Sequence, residues 1–248
     1  MFKTAPVFFL STDLPENDYL SQTICHKLYD SNPETKIAAA VLLGEGGARL
    51  LEKINWLPDV YHLNESHGLP LAFHLYKKFN HIDEVKKRLV FTNHTPEPGG
   101  NPKSSISLLE NMSFFCGISI EEIKRIAHVK GDELDYTLTA LRLAGLSNAV
   151  SRCHYHTLCG RLETCKELGS LISITNAQDF DYWSNKDMYA ALEQGDDKAL
   201  VQEKKSCKNI LFEEVADQYG RVYNEDILTI VFAKRFGGYK RPELLLHN

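Results

Sequence analysis

Four short stretches of this 248-residue chain gather side chains suited to a polyhydroxylated ligand and an anion. Asn64-Glu65-Ser66-His67, Asn93-His94-Thr95-Pro96 and Asn176 supply the directional donors and acceptors that hydroxyl groups require. Lys234-Arg235-Phe236-Gly237-Gly238-Tyr239-Lys240-Arg241 sets four cations beside two glycines. A guanidinium offers a planar fork for two phosphate oxygens, an ammonium adds a mobile point charge, and glycine lets the backbone approach an anion closely. Each stretch also has a plainer reading. Asn-x-x-His after a strand is a capped helix start with a surface histidine, and a basic loop is commonly just solvated. Their joint occurrence is what points to a site.

The elements that must position them follow from hydrophobic patterning. Apolar runs at 7–11, 59–63, 89–93, 171–175 and 227–233 read as strands, separated by segments of helical period. Leu-Val-Phe at 89–91 and Ile-Leu-Thr-Ile-Val-Phe at 227–232 do not alternate with polar residues, which predicts a parallel sheet covered on both faces. This is an α/β pattern. Ligands in such sheets bind outside the carboxyl ends of the strands, and each of the four polar stretches follows a strand. Ser119 with Glu122 forms a capping box that opens a helix through Ile123, Ile126 and Ala127. Leu134, Leu138 and Leu141 repeat at helical spacing before Gly145. Leu200, Cys207, Leu211 and Val215 mark a long helix ending at Tyr219-Gly220, where a domain boundary is expected.

Composition narrows the function classes. With 43% hydrophobic and 25% charged residues, the chain has the makeup of a globular protein. A net charge of −5 without a basic block leaves no footprint for a nucleic-acid backbone. No apolar run approaches the roughly 20 residues of a membrane span, and no signal-peptide core is present, so a cytoplasmic location is expected. The six scattered cysteines read as reduced thiols. Cys153, His154, His156, Cys159 and Cys165 are metal-ligand types, but their spacing matches no familiar zinc pattern, so no metal is expected and they read as residues of a helix. The Gly44-Glu45-Gly46-Gly47 cluster follows a helix-like run rather than a strand, which argues against a dinucleotide fingerprint.

In order along the chain, Val60-Tyr61-His62-Leu63-Asn64-Glu65-Ser66-His67, Val90-Phe91-Thr92-Asn93-His94-Thr95-Pro96, Ile174-Thr175-Asn176 and the 232–241 stretch resemble the α-glucan (glycogen or maltodextrin) phosphorylases, notably the shorter bacterial type. The resemblance implies a Rossmann-like doubly wound parallel sheet, part of the two-domain GT-B arrangement. It assigns 1–219 to part of the glucan-binding domain and 220–248 to the start of the domain that holds pyridoxal phosphate. The implied reaction is phosphorolysis of terminal α-1,4 links of glucan to glucose 1-phosphate with retention, the cofactor acting through its phosphate. His94 would bind the terminal glucose, its backbone carbonyl facing the developing positive charge. Asn176 and Tyr239 would contact sugar hydroxyls, and Asn64, Glu65 and His67 would line the pocket, with Glu65 holding His94. Lys234 would pair with the cofactor phosphate, Arg235 would bridge cofactor and substrate phosphates, and Lys240 would hold the substrate phosphate. A homodimer is also what the resemblance implies.

Departures accompany the matches. Thr175-Asn176-Ala177-Gln178-Asp179 stands where the family has Thr-Asn-Gly-Val-His, 37–40 lacks expected polar residues, and His156 replaces a common glutamate. The glycine-rich loop expected upstream and the Schiff-base lysine expected downstream are not in this sequence, so the chain by itself is expected to be an inactive fragment. Two alternatives stay open: a non-catalytic carbohydrate-binding protein, and a nucleotide-sugar-dependent GT-B glycosyltransferase.

Overall fold

The computed structural model describes residues 5–28, 30–95, 101–162, 168–234 and 240–246. The chain divides into two compact units, Met1–Asn176 and Ala177–Asn248. The first unit holds a four-stranded parallel sheet in the order β1 (Tyr61–Asn64), β2 (Leu89–Asn93), β5 (Leu146–Ala149), β6 (Ser170–Ser173). Between β2 and β5 the chain makes a two-stranded antiparallel ribbon, β3 (Lys103–Ser105) with β4 (Glu133–Asp135). Each ribbon strand ends on a residue that caps the helix after it. Ser105 accepts from Leu108 N–H to start Ile106–Asn111, and Asp135 accepts from Leu138 N–H to start Tyr136–Leu143.

In the sheet Tyr61, Leu63 and Asn64 lie beside Leu89, Phe91 and Thr92, and Phe91 and Asn93 lie beside Ser147 and Ala149. Leu63, Leu89, Phe91, Asn93, Ser147 and Ala149 therefore share one face, and all are buried. Phe73, Phe114 and Phe115, which belong to the same core, meet edge to face at centroid distances of 5.3 to 6.0 Å. Each such buried ring stabilises the fold by roughly 1.5–3 kcal/mol through transfer from water. Helices Ile82–Lys86 and Tyr136–Leu143 touch β2, and Arg152–Leu162 touches β5 and β6.

The opposite face corrects the expectation of a sheet covered on both sides. Leu146 is 37% and Ile172 39% exposed, and His62 and Asn64 are exposed. The middle of that face is polar instead: the Thr92 hydroxyl donates to Asn148 Oδ1 at 2.6 Å and meets His62 Nε2 at 2.7 Å. These four strands add in sequence order, so right-handed crossovers carry their helices on one side, and the strand-order reversal of a doubly wound sheet is not among the described strands. The architecture is a Rossmann-like α/β layer.

Two expected strands are absent as strands. Residues 7–11 form no ladder; Phe8 leans edge to face on Trp56 at 6.2 Å, and the Leu10 carbonyl accepts from Cys25 Sγ. Residues 227–233 are likewise irregular: no neighbouring strand among the described residues pairs with them, and at their start the Lys208 ammonium takes up the Glu225 and Ile227 carbonyls. Conversely β5, with its polar Leu-Ser-Asn-Ala sequence, is a central strand that periodicity does not announce. Leu134 lies in β4 rather than in the helix with Leu138 and Leu141.

Ser119 opens the expected helix, Ile120–Ile126, its Oγ accepting from Glu122 N–H, but the Glu122 carboxylate accepts from Arg125 and Tyr76 instead of closing the expected capping box. The glycine cluster continues the helix Pro33–Val41 as a wide turn, Leu42–Gly46, into Gly47–Lys53, with no strand before it. Gly44 is required there: a Cβ would stand 2.7 Å from Gly68 O and Leu71 N. Cys153, His154, His156 and Cys159 lie on helix Arg152–Leu162, and Cys165 lies outside the described residues. Among the described residues no group of three or more metal-ligand side chains converges. The second unit is a helical hairpin of Lys186–Gln194 and Asp197–Tyr219, the latter stopped by Gly220 in the left-handed region at φ 66°. No described helix is long and apolar enough to cross a membrane.

Candidate functional site

Parallel pairing brings the carboxyl ends of β1, β2, β5 and β6 to one edge of the sheet. Glu65 is the first residue past β1. Its N–H donates to Thr92 O at 2.9 Å, which extends the ladder, and then its backbone turns at φ 61°, ψ 179°. That conformation belongs to glycine, and a side chain there costs of order 1–3 kcal/mol. The strained turn aims the carboxylate across at β2. Oε1 accepts the His94 N–H at 2.5 Å and the Thr95 N–H at 3.2 Å, and Oε2 accepts from Asn93 Nδ2 at 3.3 Å. One carboxylate thus clamps the turn after β1 to the turn after β2.

Burial pushes the Glu65 carboxyl above its ordinary range, against the lowering effect of the His94 N–H bond, the nearby His94 ring, the Thr95 N–H and His67. Desolvation wins because the group is largely covered and its partners are mostly neutral donors. Asn64 and His67 flank Glu65 in the same turn with exposed side chains, and the His94 side chain is exposed beside the clamped backbone. Asn176 stands past β6 on the same edge. Its N–H donates to Val150 O at 3.1 Å, so the loop after β5 supports it.

The first unit therefore gathers Asn64, Glu65, His67, His94 and Asn176 at one sheet edge. Lys234 and Lys240 belong to the second unit, the former exposed and the latter half-buried. Arg235 and Tyr239 lie outside the described residues. Sequence reasoning left several buried polar groups of the edge without a role. Asn93 is fully buried with its Oδ1 unpaired among the described residues, as are the Ser66 and Ser147 hydroxyls and His154 Nε2. Asn93 sits inside a quoted motif, but nothing in the letters says that it points inward. An open hollow of about 430 Å³ lies at the other end of the sheet, near Tyr61 and Arg88, and another of about 470 Å³ lies beside Glu52, His74 and Lys77. Their cations are engaged, Lys77 by the Cys116 carbonyl, Lys78 by Glu52, and Lys87 and Arg88 by Glu84, so they read as surface structure.

No protein-family model matches the chain. It is 40% identical over 249 residues to an uncharacterized protein of Methanocaldococcus jannaschii, covering all of this chain and 47% of that protein. It is 33% identical over 158 residues to the maltodextrin phosphorylase of Thermococcus litoralis, covering 60% of this chain and 19% of that protein. It is 26% identical over 294 residues to the glycogen phosphorylase of Aquifex aeolicus, covering 96% of this chain and 42% of that protein. The chain thus spans about half, or less, of the length of the curated relatives it matches. The sheet edge, with its clamped His94 turn, lies within a chain that is similar over much of its length to proteins named maltodextrin phosphorylase and glycogen phosphorylase.

Proposed function

We propose that this chain supplies the glucan-binding edge of an α-glucan phosphorolysis site, and that 232–241 supplies the phosphate-binding cations. In this reading 1–219 belongs to the glucan-binding part of a GT-B enzyme and 220–248 to the start of the cofactor-binding part. The observation that carries it is the Glu65 clamp, which fixes the His94 backbone at the carboxyl edge while leaving the imidazole exposed.

A terminal glucose held at this edge meets His94, Asn64 and His67 as hydrogen-bond partners, with Asn176 reaching it from β6. Because Glu65 also takes the Thr95 N–H, which shares its peptide plane with the His94 carbonyl, that plane is fixed and the carbonyl dipole is set before any sugar arrives. Such a preset dipole is what lowers the energy of a sugar ring acquiring positive charge, since it costs no reorganisation during reaction. Tyr239 completes the hydroxyl contacts. Arg235 and Lys240 take the substrate phosphate, and Lys234 takes a second phosphate.

Lys234 and Lys240 bracket 235–239, and an exposed ammonium such as that of Lys234 suits a phosphate ester. That donor set fits the phosphate of pyridoxal phosphate. When bound, this cofactor would offer a phosphate able to exchange a proton with the substrate phosphate. Two phosphates side by side repel strongly at low dielectric, so they require the intervening cations.

Isothermal titration tests the reading. Maltoheptaose is expected to bind, and orthophosphate is expected to bind in the presence of pyridoxal phosphate as well as without it. Binding of UDP-glucose or ADP-glucose in place of phosphate would transfer the assignment to nucleotide-sugar glycosyltransferases. Maltoheptaose binding without any phosphate affinity would leave a carbohydrate-binding protein.

A further inference from the structure

His154 lies outside the residues assigned to the site, yet it is built into the same sheet edge. It sits in the first turn of helix Arg152–Leu162 with only 9% of its surface exposed. A buried histidine on a helix is ordinarily packing. Here the ring makes a specific bond: Nδ1 accepts the N–H of Val150, the first residue past β5, at 3.3 Å. The His154 N–H in turn donates to Ser151 Oγ at 3.1 Å, which fixes the start of the helix against that same loop. The Val150 carbonyl, which belongs to the next peptide plane, accepts the Asn176 N–H at 3.1 Å. The Ala149 carbonyl accepts from Ile174 at 2.9 Å, so β6 is led to Asn176 along this support.

Resting on the sugar-site reading above, we infer that His154 is a positioning residue for Asn176, acting through the two peptides that meet at Val150. The imidazole orients the Ala149–Val150 peptide, and the Asn176 backbone hangs from the Val150–Ser151 peptide that follows it. A displaced peptide plane therefore moves Asn176 along the sheet edge without touching the ligand. Bond direction requires the unprotonated nitrogen to be Nδ1, which places the proton of the neutral ring on Nε2. Burial, reinforced by the charge of nearby His94, holds the imidazole below its ordinary range and keeps it in the neutral form that can accept. His154 is not a catalytic residue, because it reaches the ligand only through two peptides.

The two amide variants separate this role from packing. The side-chain oxygen of asparagine falls near the position of Nδ1, and that of glutamine near Nε2. Amide hydrogen exchange is to be measured on ¹⁵N-labelled protein for the native chain, His154→Asn and His154→Gln, together with maltoheptaose affinity. His154→Asn is expected to keep exchange at Val150 and Asn176 within about threefold of native, whereas His154→Gln loses the bond and exchanges on the order of tenfold faster there. The β2 amides are expected to stay unchanged in both variants, and maltoheptaose affinity should follow the Asn176 amide. Equal retention in the two variants, or equal loss, overturns the positioning role. Absence of maltoheptaose binding by the native protein counts against the sugar site alone, since the exchange comparison decides the role of His154 by itself.

Discussion

Replacing Glu65 by alanine and, separately, by glycine dissects the two features that make its turn unusual. Both variants remove the carboxylate that accepts from His94 N, Thr95 N and Asn93 Nδ2. Bonds to a charged acceptor are worth about 1.5–3 kcal/mol each in isolation. Two of these donors lie at exposed or half-exposed residues that water can reach, and ionising a buried carboxylate has its own cost, so the net loss is about 1–2 kcal/mol. Alanine keeps the strain of φ 61°, ψ 179°, whereas glycine relieves roughly 1–3 kcal/mol of it. Glycine also gives the unfolded chain extra entropy, which costs about 0.5–1 kcal/mol. The balance places Glu65→Gly above Glu65→Ala by about 0.5–2 kcal/mol and close to native. Urea unfolding followed by circular dichroism reads this as a higher midpoint for glycine at an unchanged slope. An alanine variant as stable as the glycine variant, or more so, refutes the claim that this residue carries backbone strain.

The same carboxylate makes a pH prediction. Its folded value is raised above the ordinary 4.5, so the native state holds the proton more tightly than the unfolded chain does. Its contribution is fully present below 4.5 and is lost as pH rises through the folded value, so native protein should gain on Glu65→Gln as pH falls through that window. A pH series of urea midpoints checks this. Gly145→Ala is expected to destabilise by about 1–3 kcal/mol, because a Cβ would stand 2.1 Å from the Lys86 carbonyl and force β5 off β2; a thermal melt reads the loss. Arg235→Ala should weaken orthophosphate by at least about tenfold while leaving maltoheptaose affinity within about twofold, as titration calorimetry would report.

Much of the sheet edge is legible in the letters because polar residues follow apolar runs abruptly. Leu89-Val90-Phe91 before Asn93-His94 is an unbroken buried strand, and β2 runs over Leu89–Asn93 as expected. The long second-unit helix is legible from its apolar spacing and the Gly220 stop. What periodicity misses is tertiary. Leu146–Ala149 is too short and polar to declare itself, and it becomes a strand because β2 and β6 offer it ladders on both sides. The apolar run at 227–233 reads as a strand but has no ladder to join among the described residues. Glu65 is legible as a polar residue past a strand, whereas its positive φ is not, since local sequence offers no glycine to signal it. His154 looks like one of several ligand-type residues on a helix, and only the fold reveals that its ring holds the Val150 peptide.

The central claim, that the turns after β1, β2 and β6 form one glucan site, is tested most directly by mapping maltoheptaose onto the ¹⁵N–¹H spectrum of the protein. The account predicts saturable shifts concentrated at the amides of Glu65, His94, Thr95 and Asn176, with the entering ends of the strands, near Tyr61 and Arg88, unmoved. Shifts confined to those entering ends, or none at ligand concentrations well above about 1 mM, where even a weak site of about −4 kcal/mol fills, would contradict it.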